Sequence, residues 1–230
     1  MGVKERKARE FKKREEEILL AAYELLIELE PIQMTMEMIA EKTEIGRGTI
    51  YKHFKSKDEI YAHLILARRN EFIEKLNLLK IPTPQTRGIS TSYPSQEGNL
   101  LEQNLLKKLI QSYIDYSTKD IKAFVVHKKC LNHYLKSNIN NNLIELMKLQ
   151  ENKKISLLES IMKDALNELS VNPDNIRYLI YAGWGMLRGA MDFMLENRDL
   201  LIEDKEKFQF AIEQIFLHGL GINQGGNDVK

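Results

Sequence analysis

The side chains that could do chemistry lie on one short helix, which the sequence predicts for residues 47–53. At about 100° per residue, Lys52 lies on the opposite side of this helix from Ile50, with Gly48 and Thr49 beside it. That outer face offers an ammonium group, a methyl-bearing hydroxyl and a position without a side chain. These groups suit a close approach to base edges and phosphates. The pattern therefore favours a helix that enters the major groove of DNA.

Positive charge is concentrated in two stretches of a nearly neutral chain. The net charge is +1, but residues 1–14 carry seven Lys or Arg against two Glu, and residues 42–57 carry five against one. Such a distribution indicates one phosphate-facing surface. The first stretch could be an arm that follows the minor groove or the DNA backbone. We favour an extension of the first helix, because Lys13 and Arg14 each lie one helical turn from a glutamate.

Metal binding and catalysis have weaker candidates. His127 and His133 flank Cys130, but on a helix the two histidines would lie about 9 Å apart along the axis, so we expect packing rather than a shared ion. The sequence contains no nucleophile elbow, no phosphate-binding glycine loop and no zinc-protease motif. We therefore expect no enzyme, no cofactor and no metal.

Composition predicts an ordinary globular protein. Of 230 residues, 43% are hydrophobic and 29% are charged, which allows a sizeable core. No apolar run approaches the roughly 18 residues of a membrane span, and no apolar stretch resembles a secretory signal. The single cysteine, Cys130, fits a reducing compartment. We expect a cytoplasmic protein with no membrane partner.

Helical spacing runs through the whole chain. Ile18, Ala22, Leu25 and Leu29 give one apolar face to a first helix, which Pro31 ends. The proline-rich stretch 81–98 is predicted to be a loop. Later helices are predicted at roughly 100–117, 119–136, 142–170, 174–196 and 203–220.

Two short helices are predicted between the first helix and the next long one. Thr35 is expected to cap a helix that runs to about Thr43, and residues 44–46 form a tight turn before the helix at 47–53. Ser56-Lys57-Asp58-Glu59 is a capping box that begins a helix reaching about residue 80. Two short helices joined by a three-residue turn form a helix-turn-helix, in which one helix braces the other against DNA.

This region resembles the DNA-binding region of the TetR family of bacterial regulators. Glu44 replaces the family's usual turn glycine, and Gly46 replaces its usual serine, so Glu44 must adopt the turn conformation. The resemblance implies an all-α fold, with a helix-turn-helix DNA-binding domain over 12–57 and a larger ligand-binding and dimerisation domain over 58–230. It covers about residues 15–62 and rests on Ile18 to Ala22, Ile39-Ala40, Ile45, Arg47-Gly48-Thr49-Ile50-Tyr51, His53-Phe54, Ser56-Lys57 and Glu59-Ile60.

The resemblance also implies which residues contact DNA. The residues themselves leave alternatives open: Tyr51 and His53 could pack the small domain, and Lys57 could be solvated at a helix start. By resemblance, Arg47, Gly48, Thr49 and Lys52 lie nearest the bases, and Thr35, Tyr51, His53 and Lys57 lie at phosphates or the groove edge.

The C-terminal helices suggest a dimer and a pocket. Residues 174–195 are apolar on more than one face, which requires packing partners on several sides. The resemblance implies a homodimer through the last two long helices, bound to a near-palindromic operator, and a pocket for a small-molecule effector. Aromatic residues at helical spacing more often pack in a core or interface than form a ligand site. Arg188 could bind an acidic ligand or pair with Asp192. The pocket candidates are Tyr113, Tyr116, Tyr181, Trp184 and Arg188.

We therefore expect a sequence-specific transcriptional regulator, a repressor that a small-molecule effector releases from its operator. The alternative is a protein of the same fold that acts through protein contacts or non-specific DNA binding. The substitutions at Glu44 and Gly46 and the unusual 81–98 stretch leave that alternative open. An all-helical enzyme would need an acid-base or metal site, and the sequence offers none.

Overall fold

The protein is all-α in the part described by the computed structural model, residues 2–80, 96–134, 141–166, 173–197 and 205–219. No strand occurs within those ranges, so the predicted fold class is confirmed. None of their helices has the length and apolarity that a membrane crossing requires. The helices are α1 (Val3–Glu28), α2 (Met36–Thr43), α3 (Arg47–His53), α4 (Lys57–Leu79), α5 (Gln96–Lys119), α6 (Ile121–Tyr134), α7 (Asn141–Leu166), α8 (Pro173–Glu196) and α9 (Lys205–Gly219).

The predicted loop at 81–98 is wrong at its C-terminal end. Residues 96–98 belong to α5, which begins at Gln96, and the rest of the stretch lies outside the described residues. Gly98 suggested a loop, but a helix tolerates a single glycine at a cost of about 1 kcal/mol relative to alanine.

The chain divides into two compact units. Unit 1 consists of Met1–Glu71 and Asp120–Glu151, and unit 2 consists of Phe72–Lys119 and Asn152–Lys230. Helices α4 and α7 each contribute to both units. The functional domains predicted at 12–57 and 58–230 divide the chain at a different position, and those boundaries stay a prediction.

The core of unit 1 determines how the short helices are held. Ile18 and Ala22 of α1 are buried, as their spacing predicted, together with Ile39 of α2 and Ile50 of α3. Helix α6 adds Cys130 to the same core. Fully burying one such aliphatic side chain stabilises the fold by about 1.5–3 kcal/mol. The helix-turn-helix is therefore held by residues from well beyond its own sequence.

Helices α8 and α9 of unit 2 approach each other closely at one glycine. A Cβ added to Gly183 would lie 2.6 Å from Cε2 of Phe216, a buried residue of α9. Gly183 lies on α8 among apolar residues at helical spacing, of which Ile176, Ile180, Leu187 and Met191 are buried.

We expect Gly183→Ala to destabilise unit 2, although alanine is the better helix former. The new methyl group would have to displace the Phe216 ring, and overpacking of this kind costs about 1–3 kcal/mol. Gly185→Ala is the matched control, because no atom lies within 4 Å of its added Cβ. Urea denaturation measures both changes. Equal stabilisation by the two substitutions would contradict the close approach.

Candidate nucleic-acid interface

The turn between α2 and α3 has the geometry that the sequence predicted. Thr35 caps α2, with its Oγ1 accepting a hydrogen bond of 3.2 Å from the backbone amide of Met38. Glu44 adopts the left-handed conformation, with φ 54° and ψ 26°, and its amide donates to carbonyl oxygens of α2. A residue with a Cβ is strained there by about 1 kcal/mol or more. Gly46 precedes α3 and provides no side-chain cap.

Helix α3 presents one face to the core and another to solvent. Ile50, on the side of the helix opposite Lys52, is buried, and so is Phe54 four residues later. Lys52 is exposed, and the Tyr51 side chain is 39% exposed. A Cβ added to Gly48 would meet no atom within 4 Å, so the surface there is open. Bases or phosphates could approach the backbone closely at that point.

Arg47 begins α3 and already has a partner on α2. Its guanidinium forms an exposed ion pair with the Glu37 carboxylate. The pKa of Glu37 lies below its ordinary value, chiefly because the carboxylate accepts a hydrogen bond from its own backbone amide, and also because Arg47 is close. Arg47 would have to exchange this carboxylate for a base or phosphate in order to bind DNA.

His53 ends α3 and is packed inside unit 1. Its side chain is only 6% exposed, and Nδ1 lies 3.8 Å from Oε1 of Glu15 on α1. The ring centroid lies 4.0 Å from that of Phe11 on the same helix. This position favours the packing alternative for His53 over a contact with DNA.

Lys57 organises the loop between α1 and α2. Its Nζ donates to the carbonyl oxygens of Pro31, Ile32 and Met34 at 3.2, 3.4 and 3.3 Å. The hydroxyl of Tyr61, also on α4, donates to the same Pro31 oxygen at 2.7 Å. The ammonium group of Lys57 thus holds the segment that leads into Thr35, a role that neither sequence interpretation included.

Helix α6 joins this network through residues that sequence reasoning missed. Lys129 Nζ donates to the carbonyls of Leu26 and Leu29 at the end of α1, at 3.2 and 3.1 Å. His133 Nε2 lies 2.8 Å from the Asp58 carboxylate at the start of α4. A lysine that caps a helix C-terminus satisfies carbonyls that have no partner within the helix. The sequence carries no signal for contacts between residues so far apart in the chain.

The residues weighed and rejected as metal ligands, His127, Cys130 and His133, lie on α6. Cys130 is buried, and burial raises the pKa of its thiol to about 12. His133 pairs with Asp58, as described above. Among the described residues, no three His, Cys, Asp or Glu side chains are grouped closely enough to hold a metal ion.

Unit 2 contains an apolar cavity that brings together two of the five predicted pocket residues. Tyr113 and Trp184 line it, with their ring centroids 4.4 Å apart. Burial raises the pKa of Tyr113 to about 12. The cavity is narrow: its enclosed volume is about 20 Å³, and the surrounding empty space, which includes open solvent, measures about 360 Å³. The remaining lining residues are Leu109, Leu158, Met162, Leu179, Ile180, Leu187 and Phe216.

The other three pocket candidates do not line this cavity. Tyr116 packs against Phe72 with ring centroids 4.9 Å apart. Tyr181 is 51% exposed. Arg188 is half-buried and is not one of the residues that line the cavity.

Lys154, which the sequence did not suggest, places its Nζ 4.8 Å from the centroid of the Trp184 ring. Cation–π contacts of this kind add modest stability.

Comparison with protein families gives a match to the helix-turn-helix region. Residues 18–64 match the family model described as bacterial regulatory proteins, tetR family. The helix-turn-helix region of this chain is therefore similar to that of TetR-family regulators. The resemblance inferred for about residues 15–62 is thereby confirmed. No curated protein matches the chain.

Solved structures of TetR-family regulators share the fold over most of its length. The fatty acid degradation regulator FadR from Bacillus halodurans is 17% identical with a TM-score of 0.63, covering 90% of this chain and 95% of that one. FadR from Bacillus subtilis in complex with stearoyl-CoA is 17% identical with a TM-score of 0.62, covering 88% and 97%. SmeT, repressor of a Stenotrophomonas maltophilia multidrug efflux pump, is 20% identical with a TM-score of 0.58, covering 89% of each. At these identities the likeness shows the fold alone.

We expect Glu44→Gly to stabilise unit 1 by about 0.5–1 kcal/mol, because glycine adopts a positive φ without steric cost. Glu41→Gly is the matched control. Glu41 lies inside α2, where the same substitution should destabilise by about 1 kcal/mol. Chemical denaturation monitored by circular dichroism gives both values. Destabilisation by Glu44→Gly would contradict the strain assigned to this turn.

Proposed function

We propose that the protein is a sequence-specific DNA-binding repressor. The observation that carries this proposal is the exposed face of α3, where Gly48, Tyr51 and Lys52 face solvent within a TetR-family helix-turn-helix. Thr49 and Arg47 flank that face. Lys52 and Arg47 supply cations for phosphates or for guanine edges, and the Thr49 methyl suits contact with thymine.

A homodimer is part of the same proposal. Helices α8 and α9 also have large apolar side chains that are exposed. These are Tyr178, Tyr181, Phe193, Phe210 and Ile215. A second copy of the same two helices would cover these side chains in a two-fold arrangement. Such a dimer carries two copies of α3, which fits a near-palindromic operator with half-sites about one DNA turn apart.

The cavity of unit 2 supports the effector half of the proposal. Its lining is apolar and aromatic, which suits a small hydrophobic molecule. Two similar structures were solved with compounds that have an apolar part, stearoyl-CoA with Bacillus subtilis FadR and triclosan with SmeT. A ligand that binds better to the DNA-free conformation would shift the population toward it and release the operator.

Selection of bound duplexes from a random pool tests the DNA-binding half. The wild-type protein should enrich a near-palindromic sequence. Lys52→Ala should weaken binding to it by tenfold or more, because a good base contact contributes about 1–3 kcal/mol. Tyr51→Ala should weaken binding through the loss of a phosphate contact, which positions the helix in the groove. Lys122→Ala is the charge-matched control, since Lys122 is exposed and belongs to α6 rather than to α3. Binding to all duplexes equally, with a steep salt dependence, would favour the non-specific alternative.

Fluorescence of Trp184 tests the effector half, because it is the only tryptophan of the chain. We expect a compound such as triclosan to quench it saturably and to lower operator affinity over the same concentration range. Tyr113→Ala should weaken both effects. Leu78→Ala should change neither, since Leu78 is exposed on α4 and does not line the cavity. Operator release without any quenching would place the effector elsewhere.

A further inference from the structure

Helix α1 begins well before the region that the TetR family model matches. The helix starts at Val3, whereas the match starts at residue 18. Residues 3–17, which we call the N-terminal extension, therefore form about four additional helical turns. The structure shows a helix here, so the interpretation of the basic stretch as part of the first helix is confirmed.

The charge of the N-terminal extension opposes helix stability. Glu5 is the only acidic residue of the first turn, and Lys4, Arg6 and Lys7 crowd the same end. The N-terminus of a helix carries partial positive charge, so cations there are unfavourable. These exposed cations weaken the helix that carries them. Residues that destabilise their own helix in this way point to a binding role.

One contact fixes the N-terminal extension against the end of α3. The Phe11 ring lies on that of His53, with centroids 4.0 Å apart and planes inclined at 34°. His53 is the last residue of α3. Glu15, one turn after Phe11, lies 3.8 Å from His53 Nδ1. The N-terminal extension is therefore positioned by the helix that we propose to contact the bases.

Several cations of the N-terminal extension are already paired along the helix. Arg6 pairs with Glu10 at 3.6 Å, Lys12 with Glu16 at 3.8 Å and Lys13 with Glu17 at 3.9 Å. Arg14 also reaches Glu17, at 3.0 Å.

Lys4 and Lys7 differ from these cations. None of the ion pairs among the residues that the structure describes includes either lysine. Lys7 lies about one helical turn before Phe11 and Lys4 about two turns before it. All three lie on the same side of α1, since residues three and four apart share a face.

We propose that Lys4 and Lys7 bind phosphates of double-stranded DNA that flank the sequence contacted by α3. The proposal rests on the proposed DNA-binding function. At about 1.5 Å per residue, Lys7 lies about 6 Å and Lys4 about 10 Å from Phe11 along α1, and Phe11 contacts His53 at the end of α3. The positive end of the α1 dipole adds to the attraction for phosphate. Lysine acts here as a point charge, so the contacts strengthen binding without adding sequence preference.

The test is the salt dependence of operator binding by the full chain, measured by fluorescence anisotropy on the duplex that the wild type selects. We expect Lys4→Gln combined with Lys7→Gln to reduce the slope of log affinity against log salt by about 3.6, because the dimer then loses four phosphate contacts and each contributes about 0.9. The selected sequence should stay the same. Lys12→Gln with Lys13→Gln is the control, because it removes equal charge from paired lysines of the same segment. An unchanged slope in the first variant, or equal changes in both, would overturn the proposal.

Phe11→Ala tests the positioning separately, because it removes no charge. We expect it to lower the slope as the double lysine variant does, and to add nothing when combined with that variant. A wild-type slope for Phe11→Ala, beside a reduced slope for the lysine variant, would overturn the role assigned to the Phe11–His53 contact. Failure of the wild type to select any sequence would overturn the proposed function. Specific wild-type binding with an unchanged lysine slope overturns only this inference.

Discussion

A helix of seven residues has almost no stability of its own in water, because nucleating the first turn is costly. Helix α3 is such a helix, and its orientation is fixed by the burial of Ile50 on one side and of Phe54 immediately after it. Once those two side chains are in the core of unit 1, Gly48, Tyr51 and Lys52 must face solvent. The candidate surface therefore depends on hydrophobic packing that takes place behind it.

Lysine-to-carbonyl hydrogen bonds complete this support. Lys57 and Lys129 each donate to backbone oxygens at the end of α1 or in the loop after it. Those carbonyls have no partner within a helix, and a charged donor stabilises them more than a neutral one does. Lys57 and Lys129 thus stabilise the end of α1 and the loop after it, although an exposed lysine could also bind phosphate. His53 likewise packs against Phe11. The DNA contacts proposed for α3 consequently centre on Arg47, Thr49, Tyr51 and Lys52.

Local features of the chain were predictable and long-range ones were not. The cap at Thr35, the positive φ of Glu44 and the inward face of Ile50 follow from neighbouring residues and helical periodicity. The partner of Lys129 lies about a hundred residues away along the chain, and no local pattern encodes it. The cavity shows the same limit. Spacing placed Tyr181 and Trp184 near each other on α8, but only packing determines that Trp184 lines the cavity and that Tyr181 faces solvent.

The position of α3 on DNA can be measured directly with a DNA-cleaving iron chelate attached to Thr49→Cys. The native Cys130 thiol is buried with a pKa of about 12, so it does not compete for the reagent. We expect strand cleavage in two clusters, centred about one helical turn of DNA apart, on a selected duplex. The same chelate at Lys122→Cys on α6 serves as the reference. Cleavage spread evenly along the duplex, or no stronger from position 49 than from position 122, would contradict a recognition role for α3.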